Sequence, residues 1–193
     1  MSTAAVAPAR TGQVLADLLP VSRVRDIALV AGGAALTGLA AQIAVPVPGS
    51  PVPVTGQTFA ALLVGTTLGA RRGLAALALY AVAGVAGMPW FADGKSGGAM
   101  PSFGYIIGMM LAAFVVGALA RRGADRSMLR MAGTMLLGEA IIYAVGVPYL
   151  AYAADLSASA AIAAGLTPFL IGDALKAALA MGLLPSAWKL VKR

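Results

Sequence analysis

Asp173 and Lys176 stand three residues apart in the otherwise apolar run Gly165-Leu166-Thr167-Pro168-Phe169-Leu170-Ile171-Gly172-Asp173-Ala174-Leu175-Lys176. On a helix this spacing puts a carboxylate and an ammonium on one face, one turn apart. Such a pair can accept from and donate to a polar ligand. The alternative is an intrahelical ion pair that only neutralises itself. Thr167-Pro168 reads as the helix start, Thr as the N-cap and Pro at the first helical position, where its missing N–H costs nothing. Asp173 would then lie about 8 Å along the axis. Ionisable groups at that depth face a bundle interior or an aqueous cavity rather than lipid. A second acid, Glu139, sits in another apolar run with Tyr143 one turn further on.

The elements that carry these residues are membrane helices. Of 193 residues, 60% are hydrophobic and only 11% charged, with mean hydropathy +0.89, far outside the range of soluble domains. Six apolar runs set the expected architecture, an all-α six-helix transmembrane protein with spans at about 26–45, 54–70, 74–87, 103–120, 127–146 and 168–190. Residues 1–25 carry Arg10, Asp17, Arg23 and Arg25 and have no apolar leader core, so they read as a cytoplasmic N-terminal segment ahead of one domain, 26–193. Between the first two spans, Val45-Pro46-Val47-Pro48-Gly49-Ser50-Pro51-Val52-Pro53 is an uncharged connector expected to be extended and stiff. Gln57 and Thr58 fall in the first turns of the second span.

Several chemistries are excluded. The chain has no Cys and no His, which removes thiolate and imidazole nucleophiles and the usual zinc and haem ligands, and no metal or other cofactor is expected. Gly94-Lys95-Ser96 resembles the tail of a phosphate loop, but Pro89 stands where the first glycine belongs and no strand precedes it. An intramembrane aspartyl protease needs a second aspartate within the membrane, and the other acid inside an expected span is Glu139. The net charge of +7 comes from short connectors with little aromatic interleaving, which fits the positive-inside rule better than nucleic acid.

Twelve of the fourteen Lys and Arg residues fall on one side of the expected spans, Lys95 on the other, and Lys176 within the membrane. Both termini are therefore expected in the cytoplasm. Asp173, Lys176, Glu139 and the aromatics Trp90, Phe91, Tyr143 and Tyr149 then gather towards the outer face, the layout of an outward-facing pocket. The first span is rich in small residues, among them Ala31, Ala35 and Gly38. Their spacing lets another helix approach closely, either a partner or a neighbour in the same bundle.

In order along the chain come Pro53-Val54-Thr55-Gly56-Gln57-Thr58, Leu68-Gly69-Ala70-Arg71-Arg72-Gly73, Gly87-Met88-Pro89-Trp90-Phe91-Ala92, Gly97-Gly98, Pro101, Gly104-Tyr105-Ile106-Ile107-Gly108 and Gly172-Asp173-Ala174-Leu175-Lys176. This series resembles the BioY family, the biotin-binding S components of energy-coupling-factor (ECF) vitamin transporters, over about residues 25 to 190. The resemblance implies a six-helix S-component bundle in the cytoplasmic membrane that captures biotin from outside, capped by the loops between the first and second and the third and fourth spans. It also implies a transmembrane coupling protein and two ATPase subunits docking on Ala31, Ala35 and Gly38. The protein would be a transporter subunit and not an enzyme. Against biotin, Asp173 would accept from the ureido ring and Lys176 would donate to a carbonyl or carboxylate. Lys95 is the outer-loop candidate for the valerate carboxylate, with an exposed loop charge as the alternative. Trp90, Phe91 and Tyr105 are candidate walls, with interfacial anchoring as their alternative. Gln57, Glu139 and Tyr143 complete the expected ligand-binding set. The competing function is a stand-alone proton-coupled carrier of a small solute using Glu139 or Asp173 as its proton site.

Overall fold

The computed structural model describes residues 12–191. A 3-10 turn, Leu15–Leu18, leads into helix α1 (Arg23–Ala41), followed by a hairpin of strands β1 (Ala44–Val45) and β2 (Val54–Thr55). The remaining helices are α2 (Gln57–Leu68), α3 (Ala70–Val85), α4 (Phe103–Arg121), α5 (Met128–Ala153), α6 (Ala158–Gly165) and α7 (Leu170–Val191). The six expected helices are α1 to α5 and α7. Helix α4 is central, packed on α2, α3 and α5, with α1 against α2 and α3 and α7 against α5. Large apolar side chains such as Leu39, Leu136 and Ile171 lie on the outside. Helices that are apolar on the outside as well as inside need lipid around them. The chain is a multi-pass membrane protein.

Among the described residues, four stretches are long and apolar enough to cross a bilayer: Arg23–Ala41, Phe103–Arg121, Met128–Ala153 and the nearly continuous Ala158–Val191. With 12 residues, α2 is about 18 Å long, short of the ~30 Å hydrocarbon core. The expected six-helix bundle is present, with four of its stretches of full spanning length among the described residues.

Helix boundaries differ from expectation for identifiable reasons. Gly69, at φ +83°, makes the reversal between α2 and α3 alone, so Arg71, Arg72 and Gly73 fall in the first turn of α3. Helix α5 continues through Pro148 to Ala153. The expected loop after it holds α6, capped by Ser157, whose hydroxyl accepts from the Ala160 N–H. Thr167 is not the cap of the last helix, because α6 already supplies acceptors upstream and its hydroxyl donates to the Ile162 carbonyl. The chain passes through a 3-10 turn, Thr167–Phe169, and Asp173 lies in the first turn of α7 rather than deeper along it. The Pro-rich connector is not an extended rod. Gly49 at φ +78° and the Ser50 N–H to Val47 carbonyl bond turn it back, and β1 pairs with β2 through Ala44↔Thr55 and Val45↔Val54.

Small residues let backbones meet at the centre. A Cβ on Gly65 of α2 would stand 2.6 Å from the Ala113 carbonyl oxygen of α4, and one on Gly108 of α4 would stand 2.8 Å from that of Ile142 on α5. On α1, Gly33, Ala34, Thr37, Gly38 and Ala41 face inward, whereas Ala31 and Ala35 are exposed. Gly38, expected on the docking face, instead packs within the bundle, where a Cβ would meet the Trp90 ring at 2.9 Å.

The basic end of the bundle is tied together by acids and aromatics. Arg72 pairs with Asp17 and, at 3.2 Å, with Asp26. The Trp188 indole donates to Asp125 at 2.6 Å, and the Arg126 guanidinium lies 4.5 Å above the Trp188 ring. Val14 and Ala16 are buried in the main core, so the described part of the N-terminal segment packs on the bundle. Arg10, Lys192 and Arg193, used in the charge asymmetry, lie outside the described residues.

Candidate ligand-binding site

The first two turns of α7 supply Asp173 and Lys176, whose side chains are 10% and 13% exposed. A carboxylate in a first turn meets the positive end of the helix dipole. Lys176 Nζ donates to Asp173 Oδ1 at 3.0 Å and to Thr58 Oγ1 on α2 at 2.8 Å. The Tyr143 hydroxyl on α5 donates to Asp173 Oδ2. Three helices thus converge on one polar cluster inside an apolar bundle. Gln57 is held beside it by the Tyr80 hydroxyl, which donates to Gln57 Oε1 at 2.9 Å. Tyr105 on α4 donates to the Gly165 carbonyl at 2.8 Å, fixing α4 to the end of α6.

These groups surround a small cavity of about 20 Å³, roofed by Val52, Pro53 and Thr55 of the hairpin and its connector. Ser102 reaches it from the start of α4. The space holds about one water. Behind it, between α5 and α7, an apolar groove of about 610 Å³ shares Tyr143 and Asp173 with the cavity. Glu139 lines that groove, 6% exposed, with neither carboxyl oxygen hydrogen-bonded.

The structure brings Asp173, Lys176, Tyr143, Tyr105 and Gln57 to one cavity and Glu139 to the groove behind it. It does not bring Trp90, Phe91 or Lys95 to the cavity walls. Trp90 packs on α1 and donates its indole N–H to the Tyr80 carbonyl at 3.0 Å. Phe91 is 1% exposed with its ring 5.2 Å from that of Tyr80. Both support Tyr80, and through it Gln57. Lys95 is 57% exposed and lies 3.3 Å from Asp93. Thr58, Ser102, Thr55 and Phe169 line the cavity without having been singled out. Thr58 was detectable as a polar residue beside Gln57 at the start of an apolar helix. The others come from connectors, where hydrophobic periodicity carries no signal.

A six-helix bundle with a looped-over polar cluster at one end defines a class: a membrane protein with the S-component fold. The chain matches a crystal structure of the S-component for biotin from an ECF-type ABC transporter with a TM-score of 0.77, at 20% identity, over 90% of this chain and all of that one. Sequence comparison narrows the class. The model of the BioY family matches residues 10–193. The probable biotin transporter BioY of Pyrococcus horikoshii is 36% identical over 163 residues, 82% of this chain and 93% of that protein. The biotin transporter BioY of Thermotoga maritima is 38% identical over 136 residues, 68% and 78% of the two chains. The chain belongs to the BioY family.

Proposed function

We propose that this protein captures biotin at the Asp173–Lys176 cavity and carries it across the cytoplasmic membrane as the substrate-binding subunit of an ECF transporter. The observation that carries the reading is the convergence of Asp173, Lys176, Tyr143 and Thr58 beneath the β1–β2 hairpin, in a family whose relatives are named biotin transporters. A ureido ring offers two N–H donors and one carbonyl acceptor. Asp173, oriented by the Tyr143 hydroxyl, accepts from the ring, while Lys176 and Gln57 offer donors to its carbonyl. Tyr105 and Phe169 give the bicycle apolar walls. With room for about one water, the cavity admits biotin only when the hairpin roof lifts. Residues 26–193 form the biotin-binding domain. Both termini and the basic end lie in the cytoplasm, and a coupling protein with two ATPase subunits docks on the exposed Ala31 and Ala35 face of α1.

The test is ligand identification from gently purified protein. Biotin should co-purify and rebind after removal, whereas close analogues lacking the ureido N–H groups should not compete. Failure of biotin to bind folded protein overturns the reading. One observation favours a second reading, a proton-coupled carrier that works alone: the unpartnered Glu139 beside Asp173. Biotin uptake that collapses with a protonophore, in vesicles lacking ATP and any ATPase, would select it.

A further inference from the structure

At the basic end of the bundle, Ala70 and Arg71 of α3 and Phe114, Ala118 and Arg121 of α4, with Arg122 just beyond it, enclose a concavity of about 520 Å³. The α4 positions follow i, i+4, i+7 and i+8, a single stripe of the helix surface. That stripe changes character along its length, apolar at Phe114 and Ala118 and cationic at Arg121 and Arg122, about 10 Å further on. Phe114 is 43% exposed on the outside of a spanning helix, so the apolar end opens towards hydrocarbon.

The charge at the other end is only partly spent within the protein. No acid lines the concavity. Asp26 is committed to Arg25 and Arg72 and Asp125 to Trp188, while Asp17 pairs closely with Arg72 and only at 3.7 Å with Arg121. Arg121 gives one nitrogen to the Gly12 carbonyl at 3.2 Å and another approaches Asp17 at 3.7 Å, leaving it partly available. Arg71 and Arg122 have no hydrogen bond or ion pair among the described residues. Planar guanidinium groups of this kind match phosphate oxygens in pairs.

We propose that this groove is a binding site for an anionic phospholipid, with the phosphate between Arg71, Arg121 and Arg122 and one acyl chain along Phe114 and Ala118. The charge order along α4 favours lipid over a free phosphate, which would leave the apolar half unused. Basic pockets between membrane helices take anionic headgroups on these grounds.

The test is native mass spectrometry and thermal unfolding of the detergent-purified full chain titrated with phosphatidylglycerol, phosphatidylcholine or inorganic phosphate. Phosphatidylglycerol should bind and raise Tm, while the other two should not. Arg71→Gln with Arg122→Gln should weaken phosphatidylglycerol roughly 10–30-fold. Arg130→Gln, at the same end but outside the groove, should leave it unchanged. Phe114→Ser keeps every charge and should also weaken the lipid. Retained biotin binding certifies that each variant folds, and should the double variant misfold, Arg122→Gln alone is read instead. Equal binding of phosphatidylcholine, saturation by inorganic phosphate, or unchanged phosphatidylglycerol affinity in the folded arginine variants overturns the proposal. So does a double variant that binds lipid normally but no longer assembles with the coupling protein, which would make the groove a protein-docking surface.

Discussion

For Asp173, the choice between a self-neutralising pair and a ligand-binding group turns on its neighbours. Tyr143 donates to its second oxygen and Thr58 accepts from Lys176, so the pair is tied to two other helices. A double-mutant cycle separates the readings. Asp173→Asn should lower biotin affinity by roughly 1.5–3 kcal/mol, the worth of a charge-assisted hydrogen bond. Asp173→Asn with Lys176→Gln should fold yet still not bind. If the pair were only structural, each single change would cost ~3–5 kcal/mol of stability, and the double change would restore both fold and affinity. Binding isotherms and thermal unfolding on the same variants decide it. Asp125 offers a second residue-scale test, outside the membrane spans. Burial raises its carboxyl above the ordinary carboxylate range, with the Trp188 hydrogen bond opposing. The fold thus prefers the protonated form. Its contribution to stability is complete below the unfolded value of 3.8 and is lost as pH rises through the raised folded value. Asp125→Asn keeps an acceptor for Trp188 and should flatten the fall of Tm with pH between 3.8 and that raised value. Asp125→Ala should cost roughly 1–3 kcal/mol by stranding the indole N–H.

At the scale of elements, α1 has two faces with opposite expectations. Ala31→Trp with Ala35→Trp, on the exposed face, should abolish co-purification with the coupling protein and leave biotin affinity nearly unchanged. Gly38→Leu, facing Trp90, should instead lower stability by about 1–3 kcal/mol through overpacking, whether or not a partner is present. Assembly that survives both tryptophans places the docking face elsewhere. The sequence makes α1 legible as a helix, since an apolar run of spanning length needs no tertiary context. Which of its small residues face inward is not legible, because Ala31, Ala35 and Gly38 are equivalent until Trp90 folds back onto one of them. The same limit explains α6 and the hairpin. A short helix in a connector and a two-residue ladder are made by local caps and by Gly49, and hydrophobic periodicity registers neither. The Asp173–Lys176 pair was readable because ionisable groups are conspicuous in an apolar run. Thr58 carried a weaker signal, as a polar residue beside Gln57, whereas Ser102 is an ordinary helix-start residue until the bundle closes.

On the scale of the whole molecule, charge sets orientation. The described basic residues, Lys95 and Lys176 apart, share the end of the bundle held by Asp17, Asp26 and Asp125. If that end is cytoplasmic, as proposed, Ser127→Cys should be protected from an impermeant thiol reagent applied outside intact cells, and Ser50→Cys in the hairpin should label. The reverse pattern would invert the molecule. The native chain has no cysteine, so each label reports one site. The nearly filled cavity under the hairpin has a consequence for timing rather than for geometry. If the receptive form is a minor population, apparent affinity falls by the fraction that is open, and the association rate stops rising once ligand outpaces roof opening. A captured vitamin leaves only as often as the same roof opens. Ligand release slower than the free encounter rate, and equal to the rate of roof opening, is the kinetic signature expected of such a site.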